Sequence, residues 1–138
     1  MAPAIPTSRR SALLALVASG LGILMPRRAT AVRRFAHPTP RAGITGAKVL
    51  KAADLTKSPY LVELFDGIRA IPQIADGIGC YCGCAELNSH YSLLSCYEDD
   101  AMAKSCPICQ GEGRVTVRLA KAGKSLSEIR VAIDAQFG

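Results

Sequence analysis

A small all-α domain with cysteine-rich loops is what the sequence predicts for residues 44–138, and three observations predict it. Apolar residues recur at helical spacing in two stretches, Leu61, Leu64, Phe65, Ile68 and Leu126, Ile129, Ile133, Phe137. A helix-start signal precedes each stretch: Ser58-Pro59 before the first, and the capping box Ser125-Leu126-Ser127-Glu128 before the second. Only the triplet Val115-Thr116-Val117 competes as a strand. The chain has 138 residues, and removing a targeting segment leaves roughly 100, enough for one domain with one modest core.

The elements follow in order. Leu61, Leu64, Phe65 and Ile68 face the core from a first helix. Pro72 breaks that helix or opens a second short one ending near Gly77-Ile78-Gly79. Residues 90–97 form a short helix carrying Leu93, Leu94 and Cys96, and Glu98-Asp99-Asp100 forms a polar turn. A longer helix follows Cys106-Pro107 with Ile108, Val115, Leu119 and Ala122 on its buried face. Gly111 and Gly113 each weaken that helix by about 1 kcal/mol relative to Ala. Gly123 stops it, and the capping box starts the last helix. No internal repeat is present.

Residues 1–31 read as a signal peptide. Ser8-Arg9-Arg10-Ser11 precedes an apolar run from Ala12 to Met25, too short to span a bilayer, and Ala29-Thr30-Ala31 supplies a small-residue cleavage site. The paired arginines match a twin-arginine export signal, with the general secretory route as the alternative. The twin-arginine machinery is then a partner, the destination is periplasmic or extracellular, and membrane contact is through the signal peptide. Residues 32–43 hold Arg33, Arg34, Pro38, Pro40 and Arg41 without apolar periodicity and read as a flexible linker, so His37 is expected to be inert.

The net charge of +6 is concentrated in this leader and linker. Seven of the 17 Lys and Arg precede Ile44, leaving ten against eleven Asp and Glu. A near-neutral domain without Trp does not support nucleic-acid binding.

All six cysteines fall within thirty residues: Cys80-Tyr81-Cys82-Gly83-Cys84, then Cys96, then Cys106-Pro107-Ile108-Cys109, with His90 between the groups. Three chemistries compete. The first is a disulfide staple, as in small exported domains. Bridges between residues two apart are strained, so Cys80, Cys82 and Cys84 would pair with Cys96, Cys106 and Cys109. The second is a soft or borderline metal ion, Cu(I) or Zn²⁺, held by these six thiolates with His90 as a nitrogen donor. Met102 is core filler, and Tyr81, Tyr91 and Tyr97 shield the thiols. The third is thiol–disulfide exchange at Cys106 and Cys109, although the βαβ context of thioredoxin-like proteins is missing. Gln110 follows Cys109 where a c-type haem site needs His.

The stretch 58–137 resembles the bacterial family named for its Pro-Cys-Tyr-Cys-Gly-Cys motif. The likeness lies in Cys80-Tyr81-Cys82-Gly83-Cys84, His90, Leu93, Cys96, Cys106 and Cys109, and in Gly123-Lys124-Ser125-Leu126 with Glu128, Ile129 and Arg130. The motif's leading proline is Gly79 here. The resemblance implies an exported domain in which the six cysteines and His90 share a role. The family is often lipid-anchored, but this leader has no lipobox cysteine. It implies no activity and names no ligand. Metal binding is the leading expectation, since one structural Zn²⁺ adds on the order of 10 kcal/mol of apparent folding energy to so modest a core. No Ser/His/Asp set or paired carboxylates point to an enzyme.

Overall fold

A computed structural model describes residues 36–83 and 89–138. The signal peptide, most of the arginine-rich start of the linker, and Cys84 lie outside the described residues.

Four α-helices form among the described residues: α1 Val62–Ala70, α2 Pro72–Asp76, α3 Pro107–Lys121 and α4 Leu126–Phe137. Four short 3₁₀ turns connect and extend them, at Ala52–Leu55, Pro59–Leu61, Leu94–Tyr97 and Met102–Lys104. Among the described residues, strand pairing is limited to one isolated antiparallel bridge between Val49 and Glu98. The predicted all-α class is therefore what forms. No helix among the described residues is long and apolar enough to cross a membrane.

Local chemistry explains most of the boundaries. The Ser58-Pro59 signal opens a 3₁₀ turn first, and regular α-helix begins at Val62. Leu61, Leu64, Phe65 and Ile68 are all buried, as their spacing predicts. Ile71 is not helical because it precedes Pro72, whose ring disfavours the α region in the residue before it. Pro72 then starts α2, so it opens a helix as well as ending one. At α4 the capping box is complete: the Ser125 side chain accepts from the Glu128 N–H at 3.3 Å, and Glu128 Oε2 accepts from the Ser125 N–H at 2.9 Å.

The central helix differs from its prediction. Helix α3 packs against both α1 and α4. It buries Cys109, Glu112, Gly113, Val115 and Thr116, while Ile108 is 39% exposed and Ala122 lies at the surface. The buried stripe keeps the expected Val115, with Leu119 packed partly buried against the core, but it leaves out Ile108 and Ala122 and takes in two polar side chains. Tyr97 causes this. Its ring is fully buried, stands edge-on to Phe65 with centroids 4.8 Å apart, and donates its hydroxyl to the Cys109 carbonyl at 2.7 Å. It fits only because residue 113 has no side chain: a Cβ there would lie 2.0 Å from the Tyr97 oxygen. Val115-Thr116-Val117 is helical throughout, so the competing strand does not form.

The helix expected over residues 90–97 contracts to the 3₁₀ turn Leu94–Tyr97, with Leu93, Leu94, Cys96 and Tyr97 fully buried. The polar turn at 98–100 forms as predicted, with Asp99 at a φ of 44° and both Asp99 and Asp100 exposed. Met102 packs partly buried against the core, as expected of a filler.

The described part of the linker, residues 36–43, is fastened to the domain instead of being mobile chain. Arg41 forms an ion pair with the fully buried Asp76, Nη2 to Oδ1 at 2.7 Å, and its backbone N–H reaches Asp76 Oδ2 at 2.7 Å. Tyr91 donates its hydroxyl to the Thr39 carbonyl at 2.6 Å, and the Arg41 guanidinium stands 4.7 Å over the Tyr91 ring. Arg130 of α4 donates to the Pro38 and Gly77 carbonyls at 2.7 and 2.9 Å. These contacts lay the segment across α2, beside the cysteine loop.

Candidate metal centre

Three separate stretches of chain bring sulfur to one place. The loop after α2 carries Cys80 and Cys82, and it is anchored where the Ile78 carbonyl accepts from the Leu93 N–H at 2.8 Å. The turn Leu94–Tyr97 carries Cys96. The first turn of α3 carries Cys109. The ligand atoms of Cys80, Cys82, Cys96 and Cys109 all lie within 4.8 Å of one another. Cys80 Sγ is 3.1 Å from Cys82 Sγ and 3.4 Å from Cys109 Sγ, and Cys82 Sγ is 3.4 Å from Cys109 Sγ. Cys96 and Cys109 are 0% exposed and Cys80 is 3% exposed, whereas Cys82 is part-exposed.

Magnitudes decide what this spacing can hold. A disulfide needs sulfurs about 2.05 Å apart. Among the described residues, no two cysteine sulfurs stand at that separation. A tetrahedral Zn²⁺ with Zn–S bonds of about 2.3 Å sets its sulfurs about 3.8 Å apart. The three separations, 3.1, 3.4 and 3.4 Å, are about 0.4 to 0.7 Å shorter than that, so the sulfurs would have to spread slightly around an ion.

Burial and hydrogen bonding keep the Cys80, Cys96 and Cys109 thiols protonated when no cation is near. The Cys80 thiol is pushed well up by its hydrogen bond with Cys109 and by burial, against an opposing pull from Cys96. Cys96 is drawn down by Cys109, but its bond with Cys80 and its burial outweigh that pull. Cys109 is drawn down by Cys80, but Cys96 and burial outweigh that pull and raise it. Thiolate is nevertheless the form that binds metal, so an entering ion displaces protons.

A carboxyl group stands beside the sulfurs. Glu112 is one turn beyond Cys109 on the same face of α3 and is fully buried. Its Oε1 accepts from the Tyr81 N–H at 2.8 Å, which ties the cysteine loop to α3. Its Oε2 has no hydrogen-bond partner. Burial raises its pKa, against weaker opposing pulls from the Cys80 thiol and the Tyr81 N–H.

A second set of bonds holds the loop from outside. The Tyr81 hydroxyl donates to Asp134 Oδ1 at 2.5 Å, and burial with that bond pushes Tyr81 up to about 12. His37 accepts the Gly79 N–H on Nδ1 at 3.0 Å, so its proton sits on Nε2, which bonds Asp134 Oδ1 at 2.8 Å. Tyr81 and Tyr97 therefore brace the loop and α3, and the histidine expected to be inert is the clasp of the N-terminal segment.

The seven expected donors separate accordingly. Cys80, Cys82, Cys96 and Cys109 converge. Cys106 stands outside the four, although it is close enough to raise the Cys109 pKa. His90 does not join them, and its buried Nδ1 has no hydrogen-bond partner. Cys84 lies outside the described residues. Sequence reasoning missed Glu112 and His37. Glu112 was detectable, three residues after Cys109 at helical spacing. His37 carried no local signal, since both its partners are distant in sequence.

No known protein family matches this chain, and neither does any curated protein or solved structure.

Proposed function

We propose that this chain is an exported protein that binds a soft or borderline metal ion, Cu(I) or Zn²⁺, at the cluster of Cys80, Cys82, Cys96 and Cys109, with Cys80, Cys96 and Cys109 as its thiolate donors. One observation carries the reading: four sulfurs from three stretches of chain meet within 4.8 Å in a largely buried place. A lone buried cysteine is ordinary, since it packs as a small hydrophobe. Packing alone gives no reason for four to converge beside a buried carboxyl. Thiolate sulfur is the donor that these two ions favour.

Export is supported by the paired arginines and short apolar run in residues 1–31, and the likeness to the Pro-Cys-Tyr-Cys-Gly-Cys family points the same way. The twin-arginine route carries folded proteins. An ion is then acquired in the cytosol, where thiols are reduced, before the protein meets an oxidising compartment. The ion serves storage, transfer or structure, and no catalytic role is assigned.

The test is metal retention by the reduced full chain. Protein is loaded with Zn²⁺ or Cu(I) under reductant, freed of excess ion and measured by elemental mass spectrometry. The wild type retains metal, and Cys80→Ala/Cys109→Ala loses it while keeping its helical circular dichroism. A wild type that retains no metal, or a double variant that retains as much, refutes the reading.

A further inference from the structure

Cys106 stands at the edge of the site. It is the residue before α3, with Pro107 as the first helical position, and its N–H donates to the Met102 carbonyl at 2.9 Å. It is part-exposed, whereas Cys109 three residues on, in the first turn of the same helix, is 0% exposed. Cys-x-x-Cys at a helix start is a spacing that disulfides close. Cys109 therefore belongs to two arrangements. It is one of the four converging sulfurs, and it is the natural bridge partner of Cys106. The two uses exclude each other, because a sulfur in a disulfide has no thiolate to offer an ion.

We propose that Cys106 withdraws Cys109 from the cluster by forming a disulfide with it, so that an external disulfide causes the site to release its ion. The inference rests on the metal-binding reading above. The Cys106 thiolate attacks one sulfur of an external disulfide R–S–S–R, forming Cys106–S–S–R and releasing one RS⁻, which takes up a proton. Cys109 leaves the ion and attacks Cys106 Sγ. The Cys106–Cys109 bond forms, the bond to the R–S group breaks, and a second RS⁻ leaves. Two electrons pass from the cysteine pair to the external disulfide, which becomes two thiols. The ion is left without the Cys109 sulfur and is held more weakly.

Accessibility favours this route. Cys80, Cys96 and Cys109 are at most 3% exposed, so an external disulfide reaches them only if the domain opens. Cys106 lies at the surface beside Ile108, which is 39% exposed.

The full chain and its Cys106→Ser variant are reduced, loaded with Zn²⁺ and freed of excess ion. Ser is a favourable residue at a helix start, so the variant keeps its fold. Oxidised glutathione is added without oxygen, zinc release is followed with a chromogenic chelator, and bridges are mapped by peptide mass spectrometry. The wild type is expected to release zinc at least about tenfold faster than Cys106→Ser, with Cys106 bridged to Cys109. Equal release from both chains, retention by the oxidised wild type, or a bridge that omits Cys106 overturns the proposal and leaves metal binding intact. Failure of both chains to bind zinc under reductant refutes the metal-binding reading, and this inference with it.

Discussion

Replacing Gly113 with Ala tests whether the site's frame depends on the close fit of Tyr97 against α3. On helix propensity alone the substitution stabilises by about 1 kcal/mol. The structure predicts the opposite sign. The new Cβ would lie 2.0 Å from the Tyr97 oxygen, 2.8 Å from its Cζ and 3.3 Å from Leu64 Cδ1. Tyr97 is fully buried and pinned between Phe65 and the Cys109 carbonyl, so it cannot swing into solvent. Overpacking of this kind costs about 1–3 kcal/mol, and losing the buried hydroxyl's hydrogen bond costs about 1–3 more. Less the propensity gain, the net loss is about 3 kcal/mol, which lowers Tm by about 15 °C in a domain this small. Gly111→Ala is the internal control. Its Cβ would meet only the Phe137 ring, at 3.1 and 3.2 Å, a part-exposed side chain that need give by only a few tenths of an ångström. Thermal unfolding followed by circular dichroism compares the two variants. Gly111→Ala should fall within about 0.5 kcal/mol of wild type or above it. A Gly113→Ala protein as stable as wild type would refute the argument that Tyr97 sets the face of α3.

Other consequences follow from buried charge and from the thiols. Arg41→Ala leaves Asp76 buried without its cation and should cost about 3 kcal/mol at neutral pH, measured by urea unfolding. Burial alone would raise the Asp76 pKa, but the Arg41 and Ser92 hydrogen bonds outweigh it and hold the folded value below the ordinary carboxylate range. That stabilisation is present above the unfolded pKa and lost as pH falls through the folded one, so the gap between variant and wild type should close in acid. A gap independent of pH would count against the pair. Metal loading should release about three protons per ion at neutral pH, because Cys80, Cys96 and Cys109 are all raised. Apparent affinity should then rise about a thousandfold per pH unit, and a chelator competition that shows no pH dependence would contradict the protonated-thiol picture.

What was legible in the sequence is what local chemistry decides. Leu61, Leu64, Phe65 and Ile68 mark a helix face by spacing, and Ser125 with Glu128 marks a helix start by hydrogen bonds within four residues. The cysteine window announced a site for the same reason, since two of its groups are short motifs. Which sulfurs converge was not legible. Cys96 reaches the cluster because residues 94–97 fold as a tight 3₁₀ turn, and Cys106 stands outside because it precedes α3 instead of lying on its buried face. On α3 the spacing places Val115 and Leu119 correctly, but Ile108 and Ala122 lie outside the buried face, where Tyr97, a side chain distant in sequence, packs against Gly113. The fastening of residues 36–43 was invisible for a similar reason. Its proline and arginine content reads as linker, while the partners Asp76 and Asp134 lie far along the chain.

X-ray absorption at the zinc edge of the reduced, zinc-loaded full chain addresses the metal centre most directly. The four converging cysteines predict a first shell of sulfur at about 2.3 Å that loses scatterers in Cys109→Ala. A first shell of nitrogen and oxygen at about 2.0 Å, unchanged in that variant, would contradict it.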